Sequence, residues 1–206
     1  MRAESVRRLL CPAILLALAG AAWAQPAGGA ARPHAGMMRF PDVSASHIVF
    51  VYANDLWIVP RAGGVATPLA SPEGAELFPR FSPDGESIAF LGSYDAGRDV
   101  YTIPVDGGLP TRITHHPAAE MTVDWTPDGK ILFTSNGLTG QARAPEFFTV
   151  APAGGMPAKL PIPYGGNPAI SADGWVAYTN TNTDFRTWKR YRGGLAPDVW
   201  LFNLAS

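Results

Sequence analysis

Cysteine is almost absent from this chain. The single Cys11 among 206 residues excludes an internal disulfide framework and any cysteine-rich metal site. Charge is sparse as well. Asp, Glu, Lys and Arg make up 16% of the residues and the formal net charge is −1. No field of one sign draws the whole molecule to nucleic acid or to an acidic membrane. Helical periodicity is missing: after the first two dozen residues no window of 12 or more keeps a 3.6-residue apolar repeat. Nucleophile and phosphate motifs are missing too. There is no Gly-x-Ser-x-Gly, and no Gly-Gly pair is followed by Gly-Lys-Ser/Thr.

Turn residues are abundant instead, with 22 Gly and 20 Pro. They fall in a pattern. Phe81-Ser82-Pro83-Asp84-Gly85 leads into Ser87-Ile88-Ala89-Phe90, and the unit returns at Trp125-Thr126-Pro127-Asp128-Gly129 and at Ile170-Ser171-Ala172-Asp173-Gly174. Pro presets φ at the first central turn position, Asp bonds its own backbone, and Gly accepts the left-handed position. A weaker copy begins at Phe40-Pro41-Asp42-Val43. The lead residues Phe40, Phe81, Trp125 and Ile170 are 41, 44 and 45 positions apart. Short strands at a period in the forties predict β-propeller blades.

Each unit carries further strands. Third strands are predicted at Asp55–Pro60, Asp99–Pro104, Glu146–Val150 and Asp198–Asn203. Gly63-Gly64, Gly107-Gly108 and Gly154-Gly155 supply the hairpin turn to a fourth strand in the first three units. The fold class is therefore all-β, a propeller fragment of about four blades of four-stranded antiparallel sheet. Blades are expected at about 37–78, 79–122, 123–167 and 168–206. Four blades do not close a ring of six or seven, so the expectation is a piece of a longer protein, with a rare four-bladed ring or assembly with another copy as the alternatives.

Residues 1–24 read as a signal peptide. Arg2, Arg7 and Arg8 precede an apolar run from Leu9 to Ala22, and Ala22-Trp23-Ala24 has the small-x-small pattern of a cleavage site. The run is short for a membrane span, and no stable span is expected after cleavage. Residues 25–36 read as a flexible leader. The expected location is periplasmic or secreted, in a bacterium.

Candidate chemistry is thin. Asp84, Asp128 and Asp173 are expected to serve their turns on separate blades. His115-His116 sits between units two and three, with His47, Glu120 and Asp124 as the nearest further ligand types, and nothing in the sequence forces these together. No catalytic, cofactor or metal residue is assigned. One loop stands out: Arg186, Trp188, Lys189, Arg190, Tyr191 and Arg192 place four cations and two aromatics ahead of Gly193-Gly194. Stacking on single-stranded nucleic acid, a packed inter-blade loop, and capture of a carboxylate or an acidic surface all use such residues. The export signal and near-zero net charge weigh against nucleic acid.

The run Met38–Val43, Ile48–Val51 and Asp55–Pro60, with Pro79–Gly85 and above all Arg186-Thr187-Trp188-Lys189-Arg190-Tyr191-Arg192-Gly193-Gly194 ahead of Asp198-Val199-Trp200, resembles the first propeller of Tricorn-type proteases. The resemblance covers about residues 37–204. It implies a large self-assembling serine peptidase that trims short peptides. Its parts would be a six-bladed and a seven-bladed propeller, a PDZ-like domain, and catalytic domains carrying Ser, His and an acid. This chain matches only the first part of the six-bladed propeller, so its implied role is scaffold or substrate channel, inactive by itself. Its implied partners are the remaining domains, other copies, or peptides. The family's archaeal archetype carries an arginine pair after the second blade, where this chain reads His115-His116-Pro117-Ala118-Ala119-Glu120-Met121. The alternative is a self-standing periplasmic binding module of the Tol-Pal translocation type.

Overall fold

The computed structural model describes residues 34–95, 97–138, 140, 144–181, 192–194 and 196–204. The signal-peptide region, most of the leader, and Arg186, Trp188, Lys189, Arg190 and Tyr191 lie outside the described residues. Of the candidate interaction loop only Arg192 is described, as an exposed coil residue.

Among the described residues fifteen strands form four sheets, and each sheet runs in chain order. The first holds β1 (Met38–Val43), β2 (His47–Tyr52), β3 (Asp55–Pro60) and β4 (Thr67–Ala70). The second holds β5 (Glu76–Phe81), β6 (Ser87–Gly92), β7 (Asp99–Pro104) and β8 (Thr111–Arg112). The third holds β9 (Glu120–Trp125), β10 (Ile131–Ser135), β11 (Glu146–Val150) and β12 (Ala158–Lys159). The fourth holds β13 (Gly166–Ile170), β14 (Trp175–Thr179) and β15 (Val199–Asn203). All pairings are antiparallel, and the inner strands β1, β5, β9 and β13 follow one another side by side. This is the propeller arrangement. The helical structure among the described residues is one short 3₁₀ turn, Ala35–Met37.

The Pro-Asp-Gly units behave as their chemistry requires. Gly85, Gly129 and Gly174 have φ of 76°, 79° and 84°. Their N–H groups donate to Ser82, Thr126 and Ser171 carbonyls at 2.8, 2.9 and 3.0 Å. The Ser82 hydroxyl donates to Asp84 Oδ1 at 2.5 Å and accepts from the Ser87 N–H at 3.0 Å. Thr126 and Ser171 repeat both contacts with Asp128 and Asp173 and with the Lys130 and Trp175 N–H groups. We expect Ser82→Ala to cost about 1 kcal/mol, the usual net worth of such a bonded hydroxyl. Urea unfolding checks it.

The inner strands start ahead of the predicted blade starts: Glu76 against 79, Glu120 against 123, Gly166 against 168. The cause is a bulge. Pairing shifts between Leu77 and Arg80, between Glu120 and Thr122, and between Gly166 and Ala169, as it does between Arg39 and Asp42 in the first blade. Phe78, Phe40 and Asn167 take φ of 53°, 50° and 50° there. A bulge breaks the two-residue alternation, so the strand ahead of it does not read as one.

The apolar faces pack blade on blade. Val49, Val51, Leu56 and Ile58 meet Phe81, Ile88, Phe90 and Ile103. Leu91, Val100 and Ile113 meet Val123, Trp125, Ile131 and Phe133. Phe147 and Ile162 meet Val176 and Tyr178. Polar ties cross the same seams: the Phe81 N–H donates to Asp42 Oδ2 at 2.7 Å, and Trp125 Nε1 donates to the Arg80 carbonyl at 3.0 Å.

Candidate functional site

Two consecutive seams share one polar device. Three third strands open with an acid: Asp55, Asp99 and Glu146. The following inner strand is bonded to the residue just before that acid. Glu76, Glu120 and Gly165 N–H groups donate to Asn54, Arg98 and Pro145 carbonyls, each at 2.9 Å. Glu76 and Glu120 thus stand at equivalent places beside Asp55 and Asp99, and both are buried. In the fourth blade Gly165-Gly166 takes that place.

Burial raises both glutamates. Glu76 moves up to about 7, with the Tyr94 hydroxyl beside it and Asp55 adding repulsion. Glu120 moves up to about 8, with Asp99 adding repulsion and Thr114 and Arg112 offsetting part of it. Glu120 Oε2, both Glu76 carboxyl oxygens and Asp99 Oδ1 close no well-formed hydrogen bond. The other Asp99 oxygen holds Arg112 Nη2 at 2.7 Å, and Arg112 Nη1 reaches Asp95 at 3.1 Å.

Beside Glu120 the seam between the second and third blades opens into a cavity of about 560 Å³. That volume lies within the range of small-molecule sites. On the third blade, Glu120, Ser135 and Glu146 are directly opposite one another across three strands, so they share one face. Phe133 and Phe148, the next pair on that face, stack with centroids 5.6 Å apart. Lys159 pairs with Glu146. Ile113, Thr114, His115 and His116 form the opposing wall, and Leu138, Met156 and Pro157 close the rim.

The structure therefore brings His115, His116 and Glu120 to one cavity. His47 lies elsewhere, with Nδ1 2.9 Å from the neighbouring Ser46 Oγ on an exposed hairpin. Asp124 also lies elsewhere, near Arg80 and Asp42, around a second, polar depression. Asp84, Asp128 and Asp173 remain in their separate turns. The Ser82 hydroxyl and Glu86 N–H hold Asp84 below the usual carboxylate range, and Lys130 and Thr126 do the same for Asp128. Among the described residues no group of three or more His, Cys, Asp or Glu side chains is placed to hold a metal ion.

Sequence reasoning did not single out Phe133, Ser135, Gly137 and Phe148. Aligning the blades position by position is the signal that finds them, because the cavity comes from a difference between two repeats.

Similarity to known proteins agrees with this architecture. Residues 35–206 match the family model of the Tricorn protease N-terminal β-propeller domain. The chain is 33% identical over 168 residues to Tricorn protease homolog 1 of Streptomyces coelicolor, covering 80% of this chain and 16% of that protein. It thus spans about a sixth of the relative's length. In three dimensions it is similar to the crystal structure of the tricorn protease, with a TM-score of 0.69 at 24% identity, over 80% of this chain and 17% of the other. It is also similar to TolB from Acinetobacter baumannii, with a TM-score of 0.65 at 20% identity, over 82% of this chain and 41% of the other. At those identities the structural likenesses speak for the fold, while the match of the family model across all four blades shows that the chain belongs to the Tricorn protease N-terminal β-propeller family.

Proposed function

We propose that this chain serves as the N-terminal propeller portion of a Tricorn-like serine peptidase, as scaffold and wall of a substrate channel, and performs no peptide hydrolysis by itself. The observation that carries this reading is the family match over residues 35–206. The described chemistry is compatible with it. The Ser46–His47 contact joins sequence neighbours on an exposed hairpin, and among the described residues no carboxylate is bonded to the His47 ring. A nucleophile–base pair without an orienting acid is not a triad.

Immunoblotting of native cells against residues 37–206, followed by mass spectrometry, tests the reading. A species several times the mass of a 206-residue chain, or a stable complex with a larger peptidase, is the expected result. A free chain of about this length, in no such complex, overturns it. Residues 1–24 enter as a proposed export signal, for which N-terminal sequencing should find Gln25 first. The likeness to TolB favours a periplasmic binding module as the second reading. It gains if the free chain pulls down envelope proteins and no peptidase.

A further inference from the structure

The second blade carries a template for what the third blade's cavity accepts. Blade two has the row Glu76–Gly92–Asp99, the counterpart of Glu120–Ser135–Glu146 in blade three. Two residues ahead of the middle position stand Phe90 and Phe133, and two beyond the acid stand Tyr101 and Phe148. The two ring pairs have nearly the same geometry: Phe90–Tyr101 centroids are 5.9 Å apart at 24°, Phe133–Phe148 5.6 Å apart at 23°.

The repeats then diverge. Two residues after Gly92 comes Tyr94, whose ring packs on Phe90 and Tyr101 at 6.4 and 4.7 Å between centroids. Its buried hydroxyl lies beside the Glu76 carboxyl without closing a well-formed hydrogen bond to it. Two residues after Ser135 comes Gly137, which has no ring. The cavity lies where blade two places a tyrosine, against the same two-ring floor and the same buried glutamate.

We propose that this cavity binds a phenol, a tyrosyl ring laid on Phe133 and Phe148 with its hydroxyl at the Glu120 carboxyl. The local charges suit a neutral donor. Arg112 is taken by Asp95 and Asp99, and Lys159 by Glu146. Glu120 Oε2 closes no hydrogen bond, and an unmade bond at a buried acceptor is costly. An anionic ligand would find no uncommitted arginine or lysine among the described residues that line the cavity. His115 and His116 stand on the exposed wall, and His116 Cε1 would lie only 2.7 Å from a Cβ at Gly137. That ring caps the place where Tyr94's counterpart would branch from the chain. The proposal rests on the repeat comparison and not on the peptidase reading above.

Calorimetric titration of the full chain with p-cresol and with toluene is the test. We expect p-cresol to bind at least tenfold more tightly, since only it offers the hydroxyl. Glu120→Leu keeps the apolar volume and should bring the two ligands level. Gly137→Tyr combined with His116→Ala should fill the cavity and abolish binding of both. N-acetyl-tyrosine amide distinguishes the source. Binding as tight as p-cresol points to a peptide-borne tyrosine, and binding of p-cresol alone to a free phenol; either upholds the site. Equal binding of p-cresol and toluene, or binding of neither, overturns it. Should both variants fail to fold, the p-cresol to toluene ratio on the unaltered chain decides alone.

Discussion

The stability of the chain should fall as pH rises from 5 to 8.5, and Glu120→Gln should remove most of that fall. The sign follows from proton counting. Unfolded, Glu120 titrates near 4.5; folded, near 8. Below pH 4.5 both states hold the proton and burial carries no ionisation penalty. Between the two values the folded state keeps a proton that the unfolded state releases, so each step upward favours unfolding. Above pH 8 the full penalty applies, of the order of 3–5 kcal/mol at about 1.4 kcal/mol per unit. Glu76, raised from 4.5 to about 7, adds a smaller fall completed sooner. The amide of Glu120→Gln removes the charge, keeps the size, and offers a donor toward Asp99. Asp84 and Asp128 act in the opposite direction, because their lowered values withdraw stability only as pH drops through the acid range. Chemical unfolding at pH 5 and 8.5, for the unaltered chain, Glu120→Gln and Glu76→Gln, measures all of this. An unaltered chain equally stable at both pH values would sink the account.

That pH response was hidden in the sequence for the same reason that the strands were visible in it. Strands announce themselves through their turns. Pro83-Asp84-Gly85 and Gly107-Gly108 bracket β6 and β7, and the third strands Asp55–Pro60, Asp99–Pro104 and Glu146–Val150 lie where the spacing put them. Turn chemistry is local, so a few adjacent residues decide it. The seams are not local. Glu120 lies 21 residues from Asp99 along the chain, and only the stacking of one blade on the next brings the two acids together. Left-handed Phe40 and Phe78 are further examples, since nothing about phenylalanine signals a bulge. His115 and His116 were visible as a pair. Their cavity needed Gly137 to be recognised as the missing counterpart of Tyr94.

Gly165→Ala should be among the most damaging single substitutions in the fold, at several kcal/mol, while Gly129→Ala should cost only about 1 kcal/mol. Both glycines have positive φ, 158° and 79°. Backbone strain alone therefore does not separate them. The surroundings do. A Cβ at Gly129 would meet nothing within 4 Å. A Cβ at Gly165 would lie 2.5 Å from the Thr179 carbonyl oxygen, 2.5 Å from Tyr178 Cδ2 and 3.0 Å from Phe147 Cζ. Tyr178 and Phe147 belong to the core between the third and fourth blades and pack edge to face at 5.4 Å. Both rings are buried, and the Thr179 carbonyl sits on β14 opposite Gly166. The methyl group must therefore push the inner strand of the fourth blade off its neighbour or break the Gly165 N–H bond to the Pro145 carbonyl. Overpacking with backbone displacement is costlier than strain at an open turn. Thermal unfolding of the two variants side by side measures the difference. Equal losses would mean that the fourth blade rides loosely on the third. A much larger loss for Gly165→Ala would mean that this seam is close-packed, and that the space between Phe147 and Tyr178 admits no side chain where the two preceding blades place a buried glutamate.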